Sequence, residues 1–162
     1  MNVRRFRRAA ALSLLFVVFS CVTVVAQDDD GDLHATGTFD VQITQLESGF
    51  DDAALGRMKL TKTIQGAMAG TSVGQMLTAM TEVEGSAAYV AIEKFTGTVD
   101  GKSGAFMLQH FGTMTQSAQE LKITTVPDSG TGELVGIRGS LSITIDQGVH
   151  AYDLTYSFAD GD

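Results

Sequence analysis

Glu93 and His110 form the one carboxylate–imidazole combination that a short turn brings onto common ground. They lie in residues 89–114, YVAIEKFTGTVDGKSGAFMLQHFGTM, on either side of Asp100-Gly101. Asp-Gly between two alternating runs is a strong signal for a two-residue hairpin turn. Such a turn pairs Val99 with Lys102. Counting back sets Phe95 opposite Phe106, Glu93 opposite Leu108 and Ala91 opposite His110. Glu93 and His110 then become diagonal neighbours on one face. A carboxylate and an imidazole in an apolar enclosure have shifted pKa values and can exchange a proton, which is general acid/base chemistry. The competing reading is a self-satisfied polar pair that fixes strand register. One added loop residue would exchange the faces.

The same face carries Tyr89, Phe95, Phe106 and Leu108, candidate walls for a small apolar or amphipathic ligand. The opposite face carries Val90, Ile92, Lys94, Met107, Gln109 and Phe111. Two function classes compete. One is a binding barrel; the other is a cyclase- or isomerase-type enzyme with Glu93 or His110 as acid and base. A barrel filled by its own side chains would leave a structural or interaction protein instead.

A scaffold of strands must position these residues. Period-two alternation runs through 34–43, 57–66, 72–83, 87–99, 103–114, 119–126, 134–145 and 149–158. In 57–66, Met58, Leu60 and Ile64 face one way, and Arg57, Lys59, Thr61 and Thr63 the other. Residues 45–56 are the one candidate helix or loop insertion, carrying Leu46, Phe50 and Leu55. The chain has 18 glycines and one proline, Pro127. Glycines inside strands mark bulges and bends where a sheet curls. The expected fold is all-β: a single small antiparallel barrel of seven or eight strands, which leaves no open sheet edge. Met58, Met68, Met76, Met80, Met107 and Met114 read as adaptable core filler.

Other chemistries find no support. His34, His110 and His150 are scattered without metal-ligand spacing, so no metal is expected. Phosphate loops, dinucleotide fingerprints and nucleophile elbows are missing, and no cofactor is expected.

The N-terminus reads as an export signal. Arg4, Arg5, Arg7 and Arg8 precede an apolar run at 9–19, and Val24-Val25-Ala26 offers small residues for cleavage. Residues 1–26 are thus a secretory signal peptide, 27–33 an acidic leader, 34–158 the barrel domain and 159–162 a tail. An uncleaved anchor and a lipoprotein cleaved before Cys21 are the alternatives. Cleavage after Ala26 leaves seven basic residues against 19 acidic ones, a net charge of −12. It also leaves no cysteine and no stable membrane span. So acidic a domain argues against nucleic acid or an anionic membrane as partner. The oligomeric state stays open.

YVAIEKFTGTVDGKSGAFMLQH and VPDSGTGELVGIRG resemble a bacterial domain-of-unknown-function family of small β-barrels. Its pattern has a Y-V-x-x-E strand, a G-x-S-G-x-F-x-L-Q-H strand and a V-x-x-S-G-T-G-E-L-x-G-x-x-G segment. The likeness runs from about His34 to Phe158 and implies an allene oxide cyclase-like, calycin-type barrel. The glycine-rich segment is also similar to that of plant dirigent proteins and allene oxide cyclases, which guide ring closure in an apolar barrel; this is analogy of fold. The motif falls on Glu93, Gln109, His110, Gly130, Gly132, Glu133, Gly136 and Gly139. The family carries no established activity. Its members have a compact connection where residues 66–75, GAMAGTSVGQ, read here as small and loose. Gly130, Gly132, Glu133, Gly136, Arg138 and Gly139 are expected to build a structural turn, with Glu133 and Arg138 holding the bend.

Overall fold

A computed structural model describes residues 32–159. The segment 1–26 expected as a signal peptide, residues 27–31 of the expected leader 27–33 and residues 160–162 of the expected tail 159–162 lie outside the described residues. Nine strands form one antiparallel sheet: β1 (Leu33–Leu46), β2 (Leu55–Gly66), β3 (Met68–Met80), β4 (Ala87–Val99), β5 (Lys102–Met114), β6 (Gln119–Thr125), β7 (Thr131–Gly132), β8 (Ile137–Asp146) and β9 (Val149–Phe158). The order β4-β3-β2-β1-β9-β8-β6-β5 closes through a β4–β5 pairing, giving an eight-stranded barrel. The short β7 is an extra strand on β5. The all-β barrel read from the alternation is the observed fold.

Register follows the turns. Asp100 (φ 48°) and Gly101 (φ 81°) have the positive φ values of a hairpin turn. Val99 therefore pairs with Lys102, and Ala91 with His110. The closure between β6 and β8 is thin. One residue pair, Thr124 with Ser140, joins them, and the Thr125 hydroxyl accepts the Gly139 N–H at 3.0 Å.

Residues 66–75 are not a loose connection. Gly66 ends β2, and β3 starts at Met68. The small residues serve the curl of the sheet: Gly70, Gly97, Gly104 and Gly132 form one cross-strand row over β3, β4, β5 and β7. A Cβ at Gly70 or Gly97 would run into the backbone of the neighbouring strand. Residues 45–56 are not helical either. Gln45 and Leu46 extend β1, and Leu55 and Gly56 begin β2. Between them Gly49 has φ 72°, and the Asp52 carboxylate accepts the Ala54 N–H at 2.9 Å, which favours a turn.

The core lies inside the barrel, densest toward the Asp100-Gly101 end. Phe95, Val99, Phe106, Leu134 and Leu154 are fully buried. The Tyr156 hydroxyl donates to Asp100 Oδ2 at 2.6 Å, and Tyr152 Oη accepts the Met68 N–H at 2.8 Å. The opposite end is more open; its Ile43 and Ile145 are 58% and 65% exposed. Met68 is core, whereas Met80 and Met107 lie on the surface, so the methionines are not uniformly core filler.

Candidate functional site

Glu93 points inward from the middle of β4 and is 1% exposed. Its Oε2 accepts from Lys62 Nζ of β2 at 2.8 Å. Its Oε1 accepts from the Ser72 hydroxyl of β3. Gly74, paired with Glu93, leaves the space beside it open; a Cβ there would sit 2.9 Å from Glu93 Cα. His110 comes from β5, with Nε2 3.0 Å from Glu93 Oε2. That distance suits a charge contact, yet Nε2 is buried without a hydrogen bond of adequate geometry. The lysine side chain is 9% exposed and the imidazole 5%.

Burial pushes the Glu93 carboxyl pKa up. The His110 contact, the Lys62 charge and the Lys62 and Ser72 hydrogen bonds outweigh it, and the pKa falls from 4.5 to about 2. Lys62 and Ser72 meet hydrogen-bond geometry where His110 does not, so we assign them the firmer hold. Because the folded pKa lies below the unfolded one, the stabilisation is complete above about pH 4.5 and is lost as pH falls toward 2. Melting temperature should therefore drop over that window, and the drop should be shallower in Glu93→Gln. A Glu93→Gln profile parallel to that of the native protein would assign acid lability to other carboxylates.

The hairpin residues stand where the sequence reading put them. Glu93 and His110 share the inner face with Phe95, Phe106 and Leu108, all buried. Tyr89 is half-buried, its ring lying over Gly112, its partner on β5. Burial, then the Glu93 charge, raises the Tyr89 hydroxyl pKa. Room for a ligand among these walls is very small. The gap beside Glu93, Lys62, Leu108 and Tyr152 has a volume of about 10 Å³, at most one water. Phe95 and Phe106 fill the barrel with rings 5.3 Å apart.

The glycine-rich segment is structural in its contacts. Glu133 Oε2 accepts the Ser103 N–H at 2.8 Å. Leu134 plugs the barrel end at 0% exposure. Gly132 and Gly136 have positive φ, at 64° and 80°. Arg138 reaches Ser157 Oγ and the Phe158 carbonyl, each at 3.4 Å, not Glu133. His34 pairs with Asp153 at 2.9 Å, and His150 packs on Phe39 at 5.0 Å. Among the described residues no three His, Cys, Asp or Glu side chains gather as a metal site.

Lys62 and Ser72 escaped the sequence reading. The signal for Lys62 was present: it has the parity of Leu60 and Ile64, an inward lysine on an apolar face. Ser72 was hidden in a stretch whose glycines resemble a loop. A second concavity lies outside the barrel over β3–β6, about 650 Å³, lined by Leu77, Val90, Ile92, Phe111, Gln75, Gln109, Lys122 and Thr124. Its apolar side chains are 48–52% exposed. Ala91 and His110, whose side chains point inward, interrupt this lining, so groove and inner cluster occupy opposite faces of the same strands.

Comparison with curated proteins gives no match. Among solved structures, the crystal structure at 1.84 Å of a protein with unknown function from Shewanella oneidensis MR-1, of the DUF3224 family, is 43% identical. The match covers 80% of this chain and 99% of that one, with a TM-score of 0.76. The family model described as protein of unknown function (DUF3224) matches residues 35–156, and the chain therefore belongs to the DUF3224 family.

Proposed function

We propose that this protein binds a small apolar or amphipathic molecule in the outer groove over β3–β6, not inside the barrel. The observation that carries this is the groove itself: about 650 Å³ of concave space with four large apolar side chains half exposed. That volume lies within the usual range of ligand sites, and clustered exposed apolar surface marks a place that something covers. Gln75, Gln109 and Thr124 supply a few polar groups for orientation. Inside the barrel, among the described residues, the gap beside Glu93 is about 10 Å³. The signal peptide expected at 1–26 would export the domain, and such a carrier would then meet its ligand outside the cytoplasm.

A neutral, environment-sensitive dye such as Nile red tests the groove. It should bind the native protein and lose at least about tenfold in affinity in Val90→Asn/Phe111→Ser, equivalent to about 1.4 kcal/mol. Both side chains are half exposed, so the fold should survive. Undiminished dye binding in the folded variant would sink the proposal.

One observation favours the enzyme reading: His110 Nε2 is buried, unbonded and 3.0 Å from a carboxylate. Such a pair lies within reach for proton transfer but is not aligned for it, and a substrate would have to displace the barrel wall to reach it. A metabolite that stabilises the native protein and Val90→Asn/Phe111→Ser alike, but not His110→Ala, would move the site inside.

A further inference from the structure

We infer that the outer groove selects a free single-chain amphiphile with an anionic head, such as a medium-chain carboxylate. The inference rests on the groove being the ligand site and adds the chemistry of its ligand.

Cross-strand register carries the argument. Arg57 pairs with Leu77, Leu77 with Val90, Val90 with Phe111, and Phe111 with Lys122. One row across five strands thus holds three apolar side chains with a cation at each end. It spans about 19 Å, four inter-strand spacings. The adjacent row reads Lys59, Gln75, Ile92, Gln109, Thr124. On its far side Lys94 stands between Val73 and Met107. Residues 32–159 contain seven lysines and arginines. Four of them, Arg57, Lys59, Lys94 and Lys122, therefore lie on this one face. The three rows contain no carboxylate; Glu120, paired with Thr113, stands just beyond Lys122.

This concentration of cations runs against the charge of the chain, which has 19 acidic residues against 11 basic ones. Apolar surface bordered by cations is complementary to a hydrocarbon chain ending in an anion. Two details place the head at the ends of the first row. Lys122 lines the groove. Arg57 Nε donates to the Oε1 of Gln75, another lining residue, at 3.1 Å, which holds the guanidinium at the groove's edge. A charge-assisted hydrogen bond from either cation to a carboxylate is stronger than a neutral one. Concavity favours a single molecule over a bilayer, and net negative charge opposes docking on an anionic membrane.

The test is displacement of Nile red from the protein by three ten-carbon probes: decanoate, decanol and decyltrimethylammonium. Decanoate should displace the dye about tenfold better than decanol, about one charge-assisted contact's worth. Added salt should erode that advantage. Arg57→Gln/Lys122→Gln should bring the decanoate-to-decanol ratio down to about one, and it is this ratio, not the affinity for dye alone, that reads the anion preference. Equal displacement by decanoate and decanol overturns the anion preference and leaves the groove reading standing. Better displacement by the ammonium probe overturns it with the opposite sign. Dye binding unaffected by Val90→Asn/Phe111→Ser removes the groove reading and this one with it. Two further results also overturn it. One is co-sedimentation with phosphatidylglycerol vesicles without displacement by monomeric decanoate. The other is a dimer, dissolved by Phe111→Ser, that excludes the dye.

Discussion

Glu93→Gln is expected to destabilise the protein by about 3–5 kcal/mol, the cost of removing one partner from a buried ion pair. The amide can still accept from Ser72 but carries no charge. Lys62, only 9% exposed, then keeps its ammonium in the barrel without a counter-charge. The lowering of the Glu93 pKa from 4.5 to about 2 points the same way and corresponds to something on the order of 3 kcal/mol. Urea unfolding should show a lower midpoint at unchanged slope. Lys62→Met/Glu93→Gln should recover most of the loss, because a buried pair replaced whole by groups of similar volume is often neutral. A loss below about 1 kcal/mol for Glu93→Gln would mean that water screens the cluster as on a surface. The prediction also separates two roles. If the double variant is stable and still binds dye, Lys62 and Glu93 act on the fold as a polar pin through β2 and β4, and the outer groove works without their charges.

How much of this was legible in the sequence follows from how far local rules reach. The Asp100-Gly101 turn fixed one register, and from it the inner placement of Glu93, Phe95, Phe106, Leu108 and His110 followed by counting. Lys62 belongs to another hairpin, but its parity with Leu60 and Ile64 marked it as inward. Ser72 was lost because glycines at positions 70 and 74 look like a loop. Their reason is three-dimensional: the curl of the sheet and the bulk of Glu93. Of the helix or loop expected for 45–56, a loop forms over residues 47–54; the helix rested on a weak apolar spacing that the Asp52–Ala54 turn overrides. Whether the barrel is hollow could not be read from composition, since it depends on how the Phe95 and Phe106 rings meet. The row from Arg57 to Lys122 needs four strand pairings in register at once. Only one of them, β4 with β5, is set by a turn with an unambiguous sequence signal.

Phe106→Ala is expected to cost about 3–5 kcal/mol and to convert the filled barrel into a hollow one. Phe106 is fully buried on β5 opposite Phe95, with the ring planes 54° apart. Truncation removes both the transfer energy of the ring and its contacts with the neighbours. The backbone cannot collapse to compensate, because paired strands hold both walls. An apolar space on the order of 100 Å³ should remain dry and accept a small aromatic. Benzene should therefore raise the melting temperature of Phe106→Ala and leave that of the native protein unchanged. Equal stabilisation of both would show that the native interior already admits ligand, and would return the binding site to the walls around Glu93 and His110. Stabilisation of the variant alone would show that eight strands enclose enough width for a small ligand. Two phenyl rings, and not the size of the barrel, would then be what sends ligands to the outer face.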